Sequence, residues 1–221
     1  MSMRLSRTNG TFNIGVHATA NESLAFTSPD VDDLFLRDLE EALGVKPYKT
    51  TLAGSHVVGS LMAMNSRGAI VSGLAESSEI QIIEKEIPVV LLPDYLNAAG
   101  NNVLINDNGA VVNPEMPDEV VNEIERVLNV EVVKSAIAGC NTVGSVCRCS
   151  NKGCVCSIDA TDDDIEILKE VLKVPEVQRT TVNHGSKYVG SGVIANSKGA
   201  LVGDKTTPIE MGRLEDGLML Y

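Results

Sequence analysis

VGSLMAMNSRGAIV, residues 58–71, reads as a β-hairpin in which two runs of small and apolar residues flank the polar turn Asn65-Ser66-Arg67-Gly68. A glycine closing such a turn commonly supplies a left-handed backbone position. The stretch decides the fold because it recurs. Anchored on Gly59, copies appear at Gly15, Gly100, Gly144 and Gly190, so the five anchors are spaced 44, 41, 44 and 46 residues apart. Six residues beyond the anchors stand Asn21, Asn65, Asn106, Ser150 and Asn196; nine beyond stand Gly68, Gly109, Gly153 and Gly199, with Leu24 in the first copy. Aligned matches at a steady interval signal a repeat architecture.

Between hairpins the pattern is helical. Residues 161–174 carry Asp162, Asp163 and Asp164 in the first turn and Ile165, Leu168, Val171 and Leu172 at amphipathic spacing, and Pro175 ends the run. Residues 30–43, 77–86, 117–128 and 207–218 occupy the same place in their units, and short β-type runs follow at 47–52, 88–92, 130–137 and 177–182. Residues 4–8 supply the fifth such run, so the N-terminal strand is expected to meet the last unit and close a ring. A four-stranded propeller blade has a similar period but contains no helix. The expected fold is therefore α/β: a single domain of five pseudosymmetric strand–hairpin–helix units around an axis, at approximately 1–45, 46–87, 88–129, 130–174 and 175–221, with hairpins inside and helices outside.

Composition narrows the function classes. The 221 residues carry a formal net charge of −12 and only 3% aromatic residues, without tryptophan. Affinity for a phosphate backbone comes mostly from Lys and Arg, and single-strand binders stack bases on aromatic rings, so a direct nucleic-acid binder is disfavoured. No apolar run reaches the ~18 residues of a membrane span, and Met1-Ser2-Met3-Arg4 does not lead into the apolar core of a signal peptide. A cytoplasmic protein with no membrane partner is expected. Five clustered cysteines, an odd number, do not resemble a secreted disulfide framework.

Cys147, Cys149, Cys154 and Cys156 place four thiols on one face of the fourth hairpin, a pattern that suggests zinc or an iron–sulfur centre. The repeats argue for packing instead. The equivalent positions are Met62, Met64, Ala69 and Val71 in the second unit and Val193, Ala195, Ala200 and Val202 in the fifth, and free cysteine behaves as a small buried hydrophobe. No metal and no cofactor are expected. His17, His56 and His184 lie at or near hairpin starts in different units, without a recognisable catalytic motif. Arg67, Lys152 and Lys198 precede turn glycines and read as solvated turn residues, and the acidic helix starts read as complements of the helix dipole.

The segments VGSLMAMNSRG, NTVGSVCRCSNKG and NHGSKYVGSGVIANSKGALVGDKTT, with RTNGTFNIGV and IEMGRLEDGL near the ends, resemble the archaeal and eukaryotic translation initiation factor 6 family over essentially residues 4–220, as an archaeal member. The resemblance implies a pentein-type α/β propeller and a non-enzymatic role: binding the large ribosomal subunit on its intersubunit face, sterically preventing association with the small subunit, and taking part in late large-subunit maturation. It implies docking as a monomer, mainly on ribosomal proteins beside the sarcin–ricin loop with limited rRNA contact. By motif position it points to Asn13, Gly15, Val57, Gly59, Ser60, Gly100, Asn101 and Gly190 as the ribosome-binding residues. Eukaryotic relatives carry a basic residue where Ser60 stands and a regulated C-terminal extension beyond the position of Tyr221; neither is carried over.

Two rival functions belong to other classes. The same fold hosts guanidino-modifying hydrolases and amidinotransferases, which use a catalytic cysteine late in the chain, but the fifth unit has none. A thiol-rich metal-binding module would rest on the four cysteines of the fourth hairpin.

Overall fold

The structure, a computed structural model, describes residues 3–221; Met1 and Ser2, read above as leading into no signal peptide, lie outside it. The first strand is β1 (Met3–Ser6). One helical turn, α1 (Ile14–His17), leads to β2 (Ala18–Ala20), β3 (Leu24–Thr27), the outer helix α2 (Asp33–Leu43) and β4 (Lys46–Lys49). The second round is α3 (Val58–Leu61), β5 (Met62–Met64), β6 (Ala69–Ser72), α4 (Ser77–Glu84) and β7 (Val89–Leu92). The third is α5 (Ala99–Asn102), β8 (Val103–Ile105), β9 (Gly109–Val112), α6 (Asp118–Leu128) and β10 (Glu131–Lys134). The fourth is α7 (Val143–Val146), β11 (Cys147–Cys149), β12 (Gly153–Ser157), α8 (Asp162–Leu172) and β13 (Glu176–Thr180). The chain finishes with α9 (Val189–Gly192), β14 (Val193–Ala195), β15 (Ala200–Gly203) and α10 (Pro208–Leu218).

These strands form five three-stranded sheets, each an antiparallel hairpin extended by a parallel third strand. The third strand opens the next sequence unit, so every sheet laces two neighbours together; β6, for example, pairs Met62–Met64 on one side and Val89–Leu92 on the other. Closure follows the same rule. β1 lies parallel to β15, with Met3 opposite Ala200 and Ser6 opposite Gly203, so the two ends of the chain share one sheet. Five pseudosymmetric units around one axis, as the repeats imply, make this the pentein-type α/β propeller expected from the resemblance.

The outer helices form where caps and amphipathic faces coincide. Asp32 caps α2 by accepting from Phe35 N at 2.8 Å, Thr161 and Thr207 open α8 and α10 with capping boxes, and left-handed Gly44, Asn129, Lys173 and Met219 end four helices. Each apolar face fills the wedge between two sheets. Phe35, Leu39 and Leu43 of α2 pack with Ile14 and Ala25 of their own unit and with Ile194 and Leu201 of the last one. Burying such side chains contributes roughly 1.5–3 kcal/mol each.

Two features of the opening hairpin differ from the expectation. Residues 58–61 are a helical turn rather than the start of a strand, with Leu61 N bonded to Val57 O at 3.2 Å. Its four counterparts are helical too, because they pack on one another around the axis, and that contact overrides strand propensity. Gly68 is not in the left-handed region. It is required by close approach: a β-carbon there would crowd the Pro88 carbonyl and the Leu128 side chain, and at Gly109 and Gly153 it would overlap the carbonyls of Val171 and Gly217.

Candidate functional site

The axis has two ends. At one end the short helices α1, α3, α5, α7 and α9 meet, and the five anchor glycines form a closed ring. A methyl group at Gly59 would overlap the Gly15 carbonyl oxygen, one at Gly100 that of Gly59, one at Gly144 that of Gly100, one at Gly190 that of Gly144, and one at Gly15 that of Gly190. Only a residue without a side chain lets five helical turns approach so closely. Gly15, Gly59, Gly100 and Gly190, expected from the resemblance as contact residues, are thus buried and have a packing reason independent of any partner.

The other expected residues sit around this ring. Asn13 and Val57 precede α1 and α3, Ser60 and Asn101 lie within α3 and α5, and all four are half-buried. The loops that lead into this end are rigidly held. Left-handed pairs at Asn9-Gly10, Ala53-Gly54 and Ala138-Gly139, and the run Asn183-His184-Gly185, make tight turns, and acidic residues of the outer helices grip three of them from below. Glu79 accepts from Ala53 N at 2.8 Å, Gly54 N at 3.0 Å and the Thr51 hydroxyl at 2.6 Å. Glu210 does the same with His184 N, Gly185 N and Thr181, and Asp164 accepts from Ala138 N at 3.1 Å. Burial pushes the Glu210 carboxyl up, but the N–H and hydroxyl donors around it outweigh this and hold it down at about 2. The acidic helix starts therefore do more than complement the helix dipole.

Exposed apolar side chains collect at the same end. Leu34, Leu74, Tyr95, Ile158, Tyr188 and Ile209 all lie in its turns or at the adjoining starts of the outer helices, with Tyr95 72% and Tyr188 58% exposed. Two of the three histidines come together there: His56 pairs with Asp30 at 3.0 Å, and the His17 ring contacts the His56 carbonyl at 3.2 Å. His184 stands apart from them, its backbone N–H donating to Glu210 at 3.2 Å.

At the other end the hairpin turns form a second ring. The side-chain oxygen of Asn65 accepts from Arg67 N and Gly68 N in its own turn, while its amide donates to the Asn106 carbonyl of the next unit at 3.3 Å and to Leu128 O at the end of α6 at 3.1 Å. Asn21, Asn106 and Asn196 donate likewise to the carbonyls of Asn65, Ser150 and Asn21. Ser150 closes its own turn but is too short to reach the next, so the ring has four side-chain rungs and one gap. Arg67 and Lys198 are not simply solvated. Arg67 Nε donates to Leu128 O at 2.7 Å and Lys198 Nζ to Gly44 O at 3.2 Å, so each turn cation caps the C-terminus of a neighbouring helix.

The cysteines lie between the ends. Cys147 pairs across the hairpin with Cys156 and Cys149 with Cys154, all four within the core cluster that contains Leu168, Val171 and Leu172. Burial pushes the Cys149 and Cys156 thiols up to about 12 and the other two well above their ordinary value, which disfavours a nucleophilic thiolate. Among the described residues no group of three or more His, Cys, Asp or Glu side chains is placed to hold a metal ion, and no helix is long and apolar enough to cross a membrane.

The model of the eIF-6 family matches residues 3–217. The chain belongs to the eIF-6 family. It is 39% identical to the translation initiation factor 6 of Picrophilus torridus over 99% of this chain and 100% of that protein. Proteins of the same name from Methanococcoides burtonii and Methanosarcina mazei are 42% and 41% identical, each over 93% of both chains. Membership in the eIF-6 family places the protein among translation factors.

Two features of this eIF-6 chain escape a reading of the repeats. Tyr188 stands two residues before its anchor, the place of Asn13 and Val57, and Tyr95 five before its anchor, where the other four units have a turn glycine, but their exposure is a property of the folded surface. Arg148 stands between two cysteines of a core strand, where alternation makes it a single outward-turned polar residue; its actual position on the axis is a tertiary property.

Proposed function

We propose that the protein binds the large ribosomal subunit with the glycine-ring end of its axis and, by occupying the intersubunit face, blocks association with the small subunit. The observation that carries this reading is the asymmetry of the two ends. The turn end spends its polar groups on internal bonds, whereas the glycine-ring end presents Asn13, Val57, Ser60 and Asn101 with exposed Tyr95 and Tyr188 on gripped, rigid loops. Exposed apolar and aromatic groups on a preformed scaffold favour a macromolecular partner. A net charge of −12 favours ribosomal proteins over the rRNA backbone as the main contact.

In this reading the protein acts by steric exclusion in the cytoplasm, without catalysis, as a monomer that also accompanies late maturation of the large subunit. The sunken glycines Gly15, Gly59, Gly100 and Gly190 hold the contact residues in register. Co-sedimentation with large subunits from the same organism is expected at stoichiometric occupancy, together with inhibition of subunit joining. Failure to pellet with large subunits, or pelleting without inhibition of joining, overturns the proposal.

A further inference from the structure

The strands β2, β5, β8, β11 and β14 enclose an axial channel, and among the described residues one cation, Arg148, reaches into it without an acidic partner. Arg148 lines two small cavities on the axis, one of about 10 Å³ beneath the glycine ring with Gly15, Gly59, Gly100, Gly144 and Gly190, and one of about 20 Å³ further in, with Thr19 and apolar neighbours such as Ala63, Leu104 and Ala195. Its Nη2 donates to the Gly190 carbonyl at 2.8 Å. Its Nε is sealed from solvent and meets no acceptor. Among the described residues, no carboxylate lines either cavity and no salt bridge reaches Arg148. Glu22 and Asp107 line the adjoining cavity at the turn end, which shares Ala20, Met64, Ile105, Cys149 and Ala195 with the inner one, and there they accept from Ser197, Ser66 and Asn151.

A buried charge is ordinarily paired, because leaving it alone in a low-dielectric interior is expensive. Lysine or histidine in such a place could shed its proton. A guanidinium remains charged, so compensation has to come from another ion. The other four units carry Thr19, Ala63, Leu104 and Ile194 at the equivalent position, so this cation is peculiar to the fourth unit. The cavities are of the size of a single water molecule, which excludes phosphate, sulfate or an organic carboxylate and leaves room for a monoatomic ion.

We propose that the axial channel is a halide site, in which one chloride-sized anion is held by Arg148 Nε with the Thr19 hydroxyl as a second donor. Burial lowers the pKa of the Arg148 guanidinium, the direction expected of a cation still awaiting its counter-charge. The anion would neutralise the centre of the ring and bind the fourth unit to the first, stabilising the closed fold by mass action. The inference does not depend on ribosome binding.

Crystals of the full chain grown in sodium bromide test the site directly. An anomalous bromine peak on the axis within hydrogen-bond distance of Arg148 is expected. Water density alone there, or bromide held elsewhere on the axis, overturns the proposal. In solution, exchanging sodium gluconate for sodium chloride at equal ionic strength should raise the melting temperature by about 3 °C if chloride stands roughly tenfold above its dissociation constant. The rise should vanish in folded Arg148→Met and persist in Lys85→Met, which removes an exposed cation at the end of an outer helix. Equal rises in the wild type and Arg148→Met overturn it, and the bromide experiment on the wild-type chain decides the matter if Arg148→Met does not fold.

Discussion

The two ends of the axis are made from the same five repeats and solve opposite problems. At the turn end, asparagine does two jobs at once: its oxygen closes its own turn and its amide reaches the neighbouring turn and a helix terminus. At the other end glycine does one job, vanishing, so that five backbones touch. The first end consumes its polar groups internally. The second places its polar and apolar side chains around the ring instead of within it. Symmetry in sequence thus yields a closed end and an open end, and the difference teaches that repetition inside one chain marks what holds the ring together.

The comparison breaks most sharply at the glycines. Gly144→Ala forces a methyl group into the Gly100 carbonyl and is expected to cost about 3 kcal/mol or more, read from the shift in urea midpoint. A loss below about 1 kcal/mol would mean that the ring can dilate and that glycine is there for another reason. Asn196→Ala at the opposite end removes the donor to two carbonyls, Asn21 O and Leu43 O, and should cost about 2 kcal/mol. Ser150→Asn tests the same logic in reverse. It supplies the missing rung and should stabilise by about 1 kcal/mol; a loss would show that the gap is filled some other way.

A smaller effect distinguishes the gripped turns. The Glu210 carboxyl titrates at about 2 in the folded protein against an ordinary 4.5, so its stabilisation is fully present above pH 4.5 and is lost as the pH falls towards 2. Glu210→Gln should lower stability at neutral pH and flatten the acid side of the stability–pH curve in that window. An unchanged slope between pH 4.5 and 2 would remove Glu210 from the turn's support. The smallest effect on stability belongs to the open end. Asn101→Arg should stay within about 0.5 kcal/mol of the wild type, yet weaken co-sedimentation with large ribosomal subunits; unchanged binding would take Asn101 out of the docking surface.

Much of this architecture is legible in the residue order. The fivefold interval, the outer helices with acidic starts, and the pairing of the chain's two ends all follow from local pattern and from the need of each unit to bury its apolar face against the next. The cysteines could be read as packing because their counterparts in other units are Met, Ala and Val. The helical turn at 58–61 could not, since four residues of ambiguous propensity take their conformation from neighbours 40 or more positions away. For the same reason Arg67 looked like a solvated turn residue, although its partner Leu128 O lies 61 residues along the chain.

The sequence by itself determined the number of units, their composition and the identity of the anchors, because these are periodic and a period survives without coordinates. Only the tertiary structure decided what the anchors do. Whether a glycine serves a turn or a contact, whether an acid faces solvent or a backbone N–H, and whether the single arginine of a core strand points to water or to the axis depend on distances between segments far apart in the chain. Closing the ring sets those distances, and no single repeat contains that information.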